Sequence, residues 1–167
     1  MRREPIGDSL IILDEIDRTI IHELQQDGRR PYGRIAEAAR LSEAAVRQRT
    51  QRMLEEGVIR IVAVPDATLL GMTVGATLCI QCAGDLGPVA AALDAINQID
   101  FVVATAGNFD LLAEVQCEDH EALYRLINDS VRKLPGVQRV ESHIYLRYHK
   151  QTYAWPPVSR EVDGRAV

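Results

Sequence analysis

The chain has 167 residues, of which 47% are hydrophobic and 26% are charged. This composition is typical of a globular protein and excludes a chain that is disordered throughout. Apolar runs such as 101–106 are far shorter than the roughly 20 residues that span a bilayer. The first residues also lack the long apolar segment of a signal peptide. We therefore expect a cytoplasmic protein.

The formal net charge of -5 conceals an uneven distribution of charge along the chain. Residues 29–54 contain seven arginines against two acids, Glu37 and Glu43, which gives this segment a net charge of +5 (7 - 2). A binding partner responds to the patch that it meets and not to the overall charge. The basic segment therefore predicts a local surface for a polyanion such as DNA.

Three short helices are predicted in the N-terminal part of the chain. Apolar residues recur at helical spacing over 13–26, where Asp14 can cap the helix and Asp17 can complete a carboxylate variant of the capping box. A second helix is expected over 32–40 and a third over 43–56, the latter with Ser42 as N-cap. A short helix, a tight turn and a longer helix are typical of a helix-turn-helix.

The third predicted helix has an apolar stripe and a broad polar face. The stripe comprises Val46, Thr50, Met53 and Leu54; the polar face comprises Ala44, Gln48, Gln51 and Arg52, flanked by Arg47 and Arg49. A solvated surface would explain polar residues, but such surfaces usually mix both charges. Arginine pairs with guanine, glutamine pairs with adenine, and small residues allow close approach to bases. We therefore predict DNA contacts from a single set of residues: Ser42, Ala44, Ala45, Arg47, Gln48, Gln51 and Arg52.

Two features next to this helix bear on the details of the DNA-binding unit. Arg40 stands in the turn, where glycine would tolerate a positive φ; either the turn differs slightly or the arginine is retained for a phosphate contact. The run 58–64 is predicted to be a strand that ends at Pro65. Such a strand would form the wing of a winged helix-turn-helix.

The C-terminal part has a different pattern, in the order βαββαβ. Strands are predicted over 74–83, 100–107, 109–117 and 137–149, and helices over 86–97 and 118–134. This order predicts an α+β, ferredoxin-like sandwich, with two helices on one face of a four-stranded antiparallel sheet.

Four segments resemble the Lrp/AsnC family of bacterial and archaeal transcription regulators, named for leucine-responsive and asparagine-type proteins. Residues 13–29 (LDEIDRTIIHELQQDGR) and 41–59 (LSEAAVRQRTQRMLEEGVI) resemble its N-terminal domain. Residues 105–115 (TAGNFDLLAEV) and 134–146 (LPGVQRVESHIYL) resemble its C-terminal ligand-sensing domain, and HKQTYAW at 149–155 is similar to one subgroup. Arg40 in place of the usual turn glycine, a short strand after Gly57 and the residues before Leu13 depart from the family pattern.

The resemblance assigns a role to each part of the chain. These parts are an N-terminal extension (1–12), a helix-turn-helix DNA-binding domain (13–60), a linker strand (61–72), a ferredoxin-like domain for ligand sensing and oligomerisation (73–150) and a C-terminal tail (151–167). The resemblance implies that the ferredoxin-like domains pair into dimers, which often assemble into octamers. It also implies a small effector, usually an amino acid, bound between dimers.

The segment AGNFD is the candidate for part of the effector site. Gly107 and Asn108 lie in a tight connection whose backbone N–H groups can meet a carboxylate, and Asp110 can meet an ammonium group. The same sequence also fits an ordinary turn, in which the Asp110 side chain forms a hydrogen bond with its own local backbone. The family resemblance favours the ligand site. Thr105 and Ser142 are further candidates, although each could be a strand hydroxyl paired across the sheet.

Neither a catalytic site nor a metal site is predicted. Cys79 and Cys82 form a C-x-x-C motif, but on a strand they point to opposite faces, and no second Cys/His pair lies nearby to complete a zinc site. The four histidines have no metal-ligand spacing. We therefore expect no cofactor other than an amino-acid effector.

The resulting hypothesis is a sequence-specific DNA-binding transcription regulator, homo-oligomeric and nucleoid-associated, whose DNA binding or assembly responds to a small amino-acid-like effector. A rival hypothesis is a ligand-binding or enzymatic ferredoxin-like protein whose helical domain only dimerises, since the fold hosts many functions. A third is a ligand-independent architectural DNA-binding protein. The polar face of residues 44–54, which contains no acid, favours DNA binding.

Overall fold

The computed structural model describes residues 13–152, of which 13–63 belong to one compact unit and 64–149 form a second. The predicted extension (1–12) and residues 153–167 of the predicted tail lie outside the described residues. Within the described range, none of the helices has the length and apolar character needed to cross a membrane.

The N-terminal unit consists of three helices: α1 (Glu15–Gln26), α2 (Tyr32–Ala39) and α3 (Glu43–Glu55). The predicted capping box at the start of α1 is confirmed. The Asp14 carboxylate accepts a hydrogen bond of 2.7 Å from the backbone N–H of Asp17, and the Asp14 N–H donates to the Asp17 carboxylate at 3.4 Å. Both bonds satisfy groups that the first turn would otherwise leave unpaired.

The three helices enclose a small apolar core. Its fully or nearly fully buried members are Ile20, Ile35, Ala36, Val46 and Met53. Of the four residues predicted to form the apolar stripe of α3, Val46, Thr50 and Met53 are buried and Leu54 is half-buried. Since burial of that stripe fixes the rotation of α3, its opposite face points outward.

Thr50 is the exception in this core, because it is fully buried and its hydroxyl has no hydrogen-bond partner among the described residues. We expect Thr50→Val to raise the free energy of unfolding by about 1 kcal/mol, because an unsatisfied buried hydroxyl is replaced by a methyl group of similar shape. Chemical denaturation followed by circular dichroism measures this change. The control is Thr19→Val, whose hydroxyl donates to the Glu15 carbonyl at 2.9 Å. An equal gain in both variants would contradict the explanation.

The strand predicted over 58–64 is wrong. After Gly57, at φ 69°, the N–H groups of Val58 and Ile59 donate to the Met53 carbonyl at 2.9 and 3.2 Å, which ends α3 and turns the chain back onto the helices. A strand needs a neighbouring strand to pair with, and the described residues of this unit form helices only. The wing of the predicted winged helix-turn-helix is therefore not formed within the described chain.

The C-terminal unit is an antiparallel sheet of four strands with helices on one face, so the predicted α+β, ferredoxin-like fold is confirmed. Its strands are β1 (Val74–Cys82), β2 (Ile99–Ala104), β3 (Leu111–Cys117) and β4 (Val137–Ile144), in the spatial order β2-β3-β1-β4. The helices are α4 (Leu86–Asp94), between β1 and β2, and α5 (His120–Arg125), between β3 and β4. α5 continues as a π-helical turn, Leu126–Ser130, and a 3-10 turn, Val131–Lys133. The segment predicted as one helix over 118–134 therefore changes from α-helical to π-helical and then to 3-10 geometry.

Alternation along the strands separates a core face from an open face. On β1, Leu78 and Ile80 are fully buried and belong to the apolar core, together with residues of α4 and α5. Cys79 lies between them in sequence and pairs across the sheet with Leu112 and Glu141, on the face opposite the helices. Both helices therefore pack on the face that carries Leu78.

The last strand ends at Ile144 and not at 149, because the chain turns across the start of β1. The N–H of Tyr145 donates to the Gly75 carbonyl at 2.8 Å, and the hydroxyls of Tyr145 and Thr77 lie 2.6 Å apart. A Cβ atom at position 75 would lie 2.6 Å from the Tyr148 hydroxyl. Glycine at this position therefore lets both tyrosine rings close over β1.

Candidate functional site

The first candidate site is the outward face of α3. The Ser42 hydroxyl accepts a hydrogen bond of 3.2 Å from the Ala45 N–H, so this side chain caps the helix. Ala44 and Gln48 are exposed, and Ala45 is half-buried. Gln51 is exposed and donates to Glu55 at 2.9 Å, one turn further along the helix. The rotation of α3 thus presents the predicted small and polar residues on one accessible surface.

Arg47 lies on this surface between an acid and an aromatic ring. Its guanidinium is 3.1 Å from the Glu43 carboxylate and 5.1 Å from the centroid of the Tyr32 ring, while the side chain remains 65% exposed. A cation over an aromatic face is attracted by the ring quadrupole. Tyr32 was not among the residues predicted from the sequence. Its contact depends on how α2 and α3 pack, which spacing along one helix does not reveal.

Arg49 and Arg52 turn towards α1 and share one buried acid. Arg49 Nη1 is 2.9 Å from Asp17 Oδ1, and Arg52 Nη2 is 2.7 Å from Asp17 Oδ2. The Asp17 side chain is only 2% exposed, whereas that of Arg52 is 44% exposed. Arg49 also contacts Asp14 at 2.7 Å. Arg52 therefore has both an internal partner and a solvent-exposed surface, and its contact with DNA stays a prediction.

The same ion pairs shift the pKa values of their surface members. The backbone N–H of Asp17, followed by the guanidinium of Arg49, lowers the pKa of Asp14 below its ordinary value. The hydrogen bonds to Asp14 and Asp17 raise the pKa of Arg49 above its ordinary value. Hydrogen bonding to the charged form explains both directions.

Arg40 adopts the left-handed conformation that the turn requires, at φ 54° and ψ 45°. Of the two explanations left open by the sequence, a different turn geometry is excluded. The exposed side chain of Arg40 lies two residues before Ser42, at the entrance to α3. Its side chain is thus accessible to a partner, and a contact between Arg40 and phosphate stays a prediction.

We expect Arg40→Gly to stabilise the domain while weakening DNA binding. Left-handed backbone costs an L-residue roughly 1–2 kcal/mol, and the greater freedom of glycine in the unfolded chain offsets roughly half of that gain. Loss of one phosphate contact should reduce the slope of log affinity against log salt by about 1. Thermal unfolding and a salt series measure the two effects. Arg40→Lys should change neither quantity appreciably, and an unchanged salt slope in Arg40→Gly would contradict the phosphate contact.

The second candidate site is the connection between β2 and β3. Thr105 closes it, because its hydroxyl donates to the Phe109 carbonyl at 2.7 Å and its N–H donates to the Asp110 carbonyl at 2.9 Å. The Asn108 carbonyl accepts a hydrogen bond of 2.7 Å from the Gln81 side chain. Gly107, at φ 148°, has open space where a side chain would stand. The loop is therefore tied to β1 but open at its tip.

Asp110 anchors this loop through one carboxylate oxygen. Oδ2 accepts a hydrogen bond of 2.8 Å from the N–H of Cys82, where the pairing of β1 shifts register. A carboxylate has several lone pairs and can accept another donor at the second oxygen. Thr105, Gly107, Asn108 and Asp110 are thus brought together, with Asp110 held in place. Ser142 is exposed on β4, opposite Leu78, and β1 separates it from the loop.

The cysteines lie as the alternation of the strand predicts. Cys82 packs against the helix-side core, and Cys79 lies on the other face. Burial raises the pKa of Cys79, Cys82 and Cys117 above the ordinary value of a thiol. Throughout residues 13–152, no three His, Cys, Asp or Glu side chains are grouped so that they could hold a metal ion.

Comparison with known proteins assigns both units. Residues 13–54 match the AsnC-type helix-turn-helix domain, and residues 76–155 match the Lrp/AsnC ligand binding domain. The HTH-type transcriptional regulator FL11 of Pyrococcus abyssi is 33% identical over 148 residues, covering 87% of this chain and 97% of that protein. The chain belongs to the Lrp/AsnC family of transcription regulators.

Solved structures of two similar proteins extend the comparison to the fold. A feast or famine regulatory protein from M. tuberculosis, complexed with L-methionine, has a TM-score of 0.81 at 27% identity, covering 87% of this chain and 100% of that one. A transcriptional regulator from Neisseria meningitidis, also complexed with L-methionine, shares the fold with a TM-score of 0.81 at 21% identity, covering 87% of this chain and 97% of that one. The family predicted from the sequence is thereby confirmed, and this Lrp/AsnC regulator combines a DNA-binding and a ligand-binding domain.

Proposed function

We propose that this Lrp/AsnC regulator reads its DNA site through the outward face of α3. The observation that supports this most strongly is Arg47, which is 65% exposed and oriented by Glu43 and Tyr32. Ala44, Gln48 and Gln51 share the exposed face. The buried stripe of Val46, Thr50 and Met53 holds the opposite side of α3. The face can enter a major groove, where arginine and glutamine distinguish base pairs by their hydrogen-bonding edges.

The proposed assembly is a homodimer that can associate further, up to an octamer. Several large apolar side chains in the described residues are exposed, namely Ile61, Val62, Val64, Leu69, Leu70, Phe101 and Leu146. Extensive exposed apolar surface is typical of protein interfaces. A two-fold axis would place the two recognition helices about one helical turn apart, roughly 34 Å. Sedimentation velocity over a concentration series tests this assembly, and a monomer at all concentrations would contradict it.

The proposed effector is an amino acid bound in part by the β2–β3 loop. Asp110 is held by Cys82 N–H through one oxygen, which leaves the second for an ammonium group, while the open tip at Gly107 can admit a carboxylate. Charged hydrogen bonds to both ends of a zwitterion would offset its loss of water. The complex of the M. tuberculosis relative with L-methionine supports this class of ligand. The effector must bind one assembly or DNA-binding state more tightly than another in order to regulate.

Binding of the full-length protein to duplex DNA across a salt series tests the proposed DNA-binding function. We expect a duplex selected from random sequence to bind far more tightly than a scrambled duplex, with affinity falling steeply as salt rises. Equal affinity for both duplexes would instead favour an architectural DNA-binding protein. No binding at low salt would refute the proposal and favour a helical domain that only dimerises.

We further propose that the protein acts in the cytoplasm, in association with the nucleoid, and that regulation involves no catalytic step. The relatives that match along most of this chain are transcription regulators. A promoter fragment next to the gene is a suitable natural probe, because it can be compared directly with the selected duplex.

A further inference from the structure

Asp17 is the most deeply buried acid of the DNA-binding domain, with a side chain only 2% exposed. Each of its two carboxylate oxygens accepts a hydrogen bond from an arginine of α3. Oδ1 contacts Arg49 at 2.9 Å, and Oδ2 contacts Arg52 at 2.7 Å. One carboxylate on α1 therefore holds two arginines from successive turns of the recognition helix.

Stability alone is a weak explanation for this arrangement. A buried ion pair often contributes little net stability, because desolvation of its charges opposes their attraction. Asp14 also contacts Arg49, so two carboxylates face two guanidiniums, yet both arginines remain partly exposed, Arg49 at 29% and Arg52 at 44%. Each arginine is therefore held by Asp17, while part of its side chain remains accessible to solvent.

Arg52 has the donors needed for a second partner. A guanidinium carries five N–H donors in a rigid plane. The contact with Asp17 uses Nη2, and Nε lies 3.9 Å from Glu56, beyond hydrogen-bond distance. Gln48 precedes Arg52 by one helical turn, so the two residues lie on the same side of α3. The exposed part of Arg52 can therefore meet a phosphate beside the bases that Gln48 reaches.

We propose that Asp17 is a positioning residue for DNA binding, whose buried carboxylate orients Arg52, with Arg49 beside it, for contact with phosphate. This inference rests on the proposed DNA-binding function of α3. Anchoring restricts a long side chain before the complex forms, so less conformational freedom is lost on binding. Asp17 acts through the arginines and does not touch DNA itself.

The proposal and simple electrostatics predict opposite results for Asp17→Asn. Removing a negative charge makes the surface around α3 more positive, which by itself should strengthen binding to every duplex. Loss of the anchor should instead weaken binding to the selected duplex by roughly three- to tenfold, the factor associated with immobilising one long side chain. The phosphate proposed for Arg52 lies beside the bases proposed for Gln48, so this contact requires α3 to be seated in register on the selected duplex. A scrambled duplex does not hold α3 in that register, so its binding should stay equal or become slightly tighter. The ratio of the two affinities should therefore fall.

Glu15→Gln is the matched control, because it removes one negative charge from the same helix at a side chain that is 86% exposed. It should leave the affinity ratio unchanged. Circular dichroism and thermal unfolding establish that each variant is folded at the assay temperature. Selected-duplex binding by folded Asp17→Asn that equals or exceeds that of the wild type would overturn the proposal.

Arg52→Lys provides a second test, which by itself does not depend on the folding of Asp17→Asn. It keeps the positive charge, and Arg49 still pairs with Asp17, but lysine lacks the planar fork that can meet two partners at once. We expect a loss of roughly three- to tenfold on the selected duplex. When both changes are combined in folded protein, the loss should be no larger than that of one change, because both remove the same anchored contact. Unchanged binding by Arg52→Lys, or fully additive losses, would refute the role of Asp17.

The outcome for the wild type separates this proposal from the one on which it rests. Wild-type protein that binds no duplex at low salt would refute DNA binding by α3, and the role of Asp17 with it. Wild-type protein that binds selectively, together with unchanged selectivity in both variants, would refute the role of Asp17 alone.

Discussion

Replacing both Arg47 and Gln48 by alanine is expected to weaken binding to the selected duplex by about a hundredfold or more, since each good pairing with a base edge is worth about 1–3 kcal/mol of discrimination. Binding to a scrambled duplex should fall much less, because it depends chiefly on phosphate contacts. Fluorescence anisotropy with both duplexes, at one fixed salt concentration, measures the two losses.

The structure makes this pair of substitutions a clean test. Both side chains are exposed on α3, so neither change opens a cavity in the core. Arg47 contacts Glu43 and Tyr32 at the surface, and such exposed contacts contribute little to stability. Alanine is also the best helix former, so α3 should persist. A folded double variant with unchanged selectivity would show that another surface reads the DNA.

Arg125→Ala is the matched control for the loss of one positive charge. Arg125 lies on α5 of the sheet domain, is 61% exposed, and is 3.9 Å from Glu121. We expect its removal to leave selectivity for the chosen duplex unchanged. A loss of selectivity similar to that of the Arg47/Gln48 variant would mean that overall charge, and not the face of α3, governs binding.

Local patterns were sufficient to predict much of the fold. The capping box of Asp14 and Asp17, the buried stripe of α3 and the order βαββαβ each depend on neighbours in sequence or on a regular period. The run 58–64 shows the limit of this reasoning. An apolar, β-branched run indicates that a strand is possible, but it does not indicate whether another strand is present to pair with it.

The candidate sites were less predictable, because their decisive contacts join distant parts of the chain. Asp17 and Arg52 are 35 residues apart, and their contact depends on the angle at which α1 crosses α3. The sequence places Arg52 on a polar face but cannot show that its guanidinium turns towards a buried acid. Likewise, AGNFD predicted a tight connection, whereas the hydrogen bond that Asp110 accepts from Cys82 N–H depends on a register shift in β1.

Replacing Asp110 by asparagine is expected to weaken effector binding by roughly 10- to 100-fold, because a hydrogen bond to a charged group contributes about 1.5–3 kcal/mol. The effect on stability should be small, since the amide oxygen of asparagine can still accept the hydrogen bond from Cys82 N–H, which is 2.8 Å long. The predicted loss is therefore specific to the charge. A screen of the twenty amino acids, including L-methionine, by thermal shift identifies the effector, and isothermal titration calorimetry then gives its affinity for both proteins.

Asp119→Asn separates this effect from a general response to lost charge. Asp119 also accepts a backbone hydrogen bond, from Ala122 N–H at 2.7 Å, but it caps α5 and lies outside the β2–β3 loop. Asparagine is an equally good N-cap, so this variant should fold and should bind the effector as the wild type does. Undiminished effector binding by Asp110→Asn would place the ammonium group elsewhere. Equal losses in both variants would show that the response follows the net charge of the domain and not the carboxylate held by Cys82.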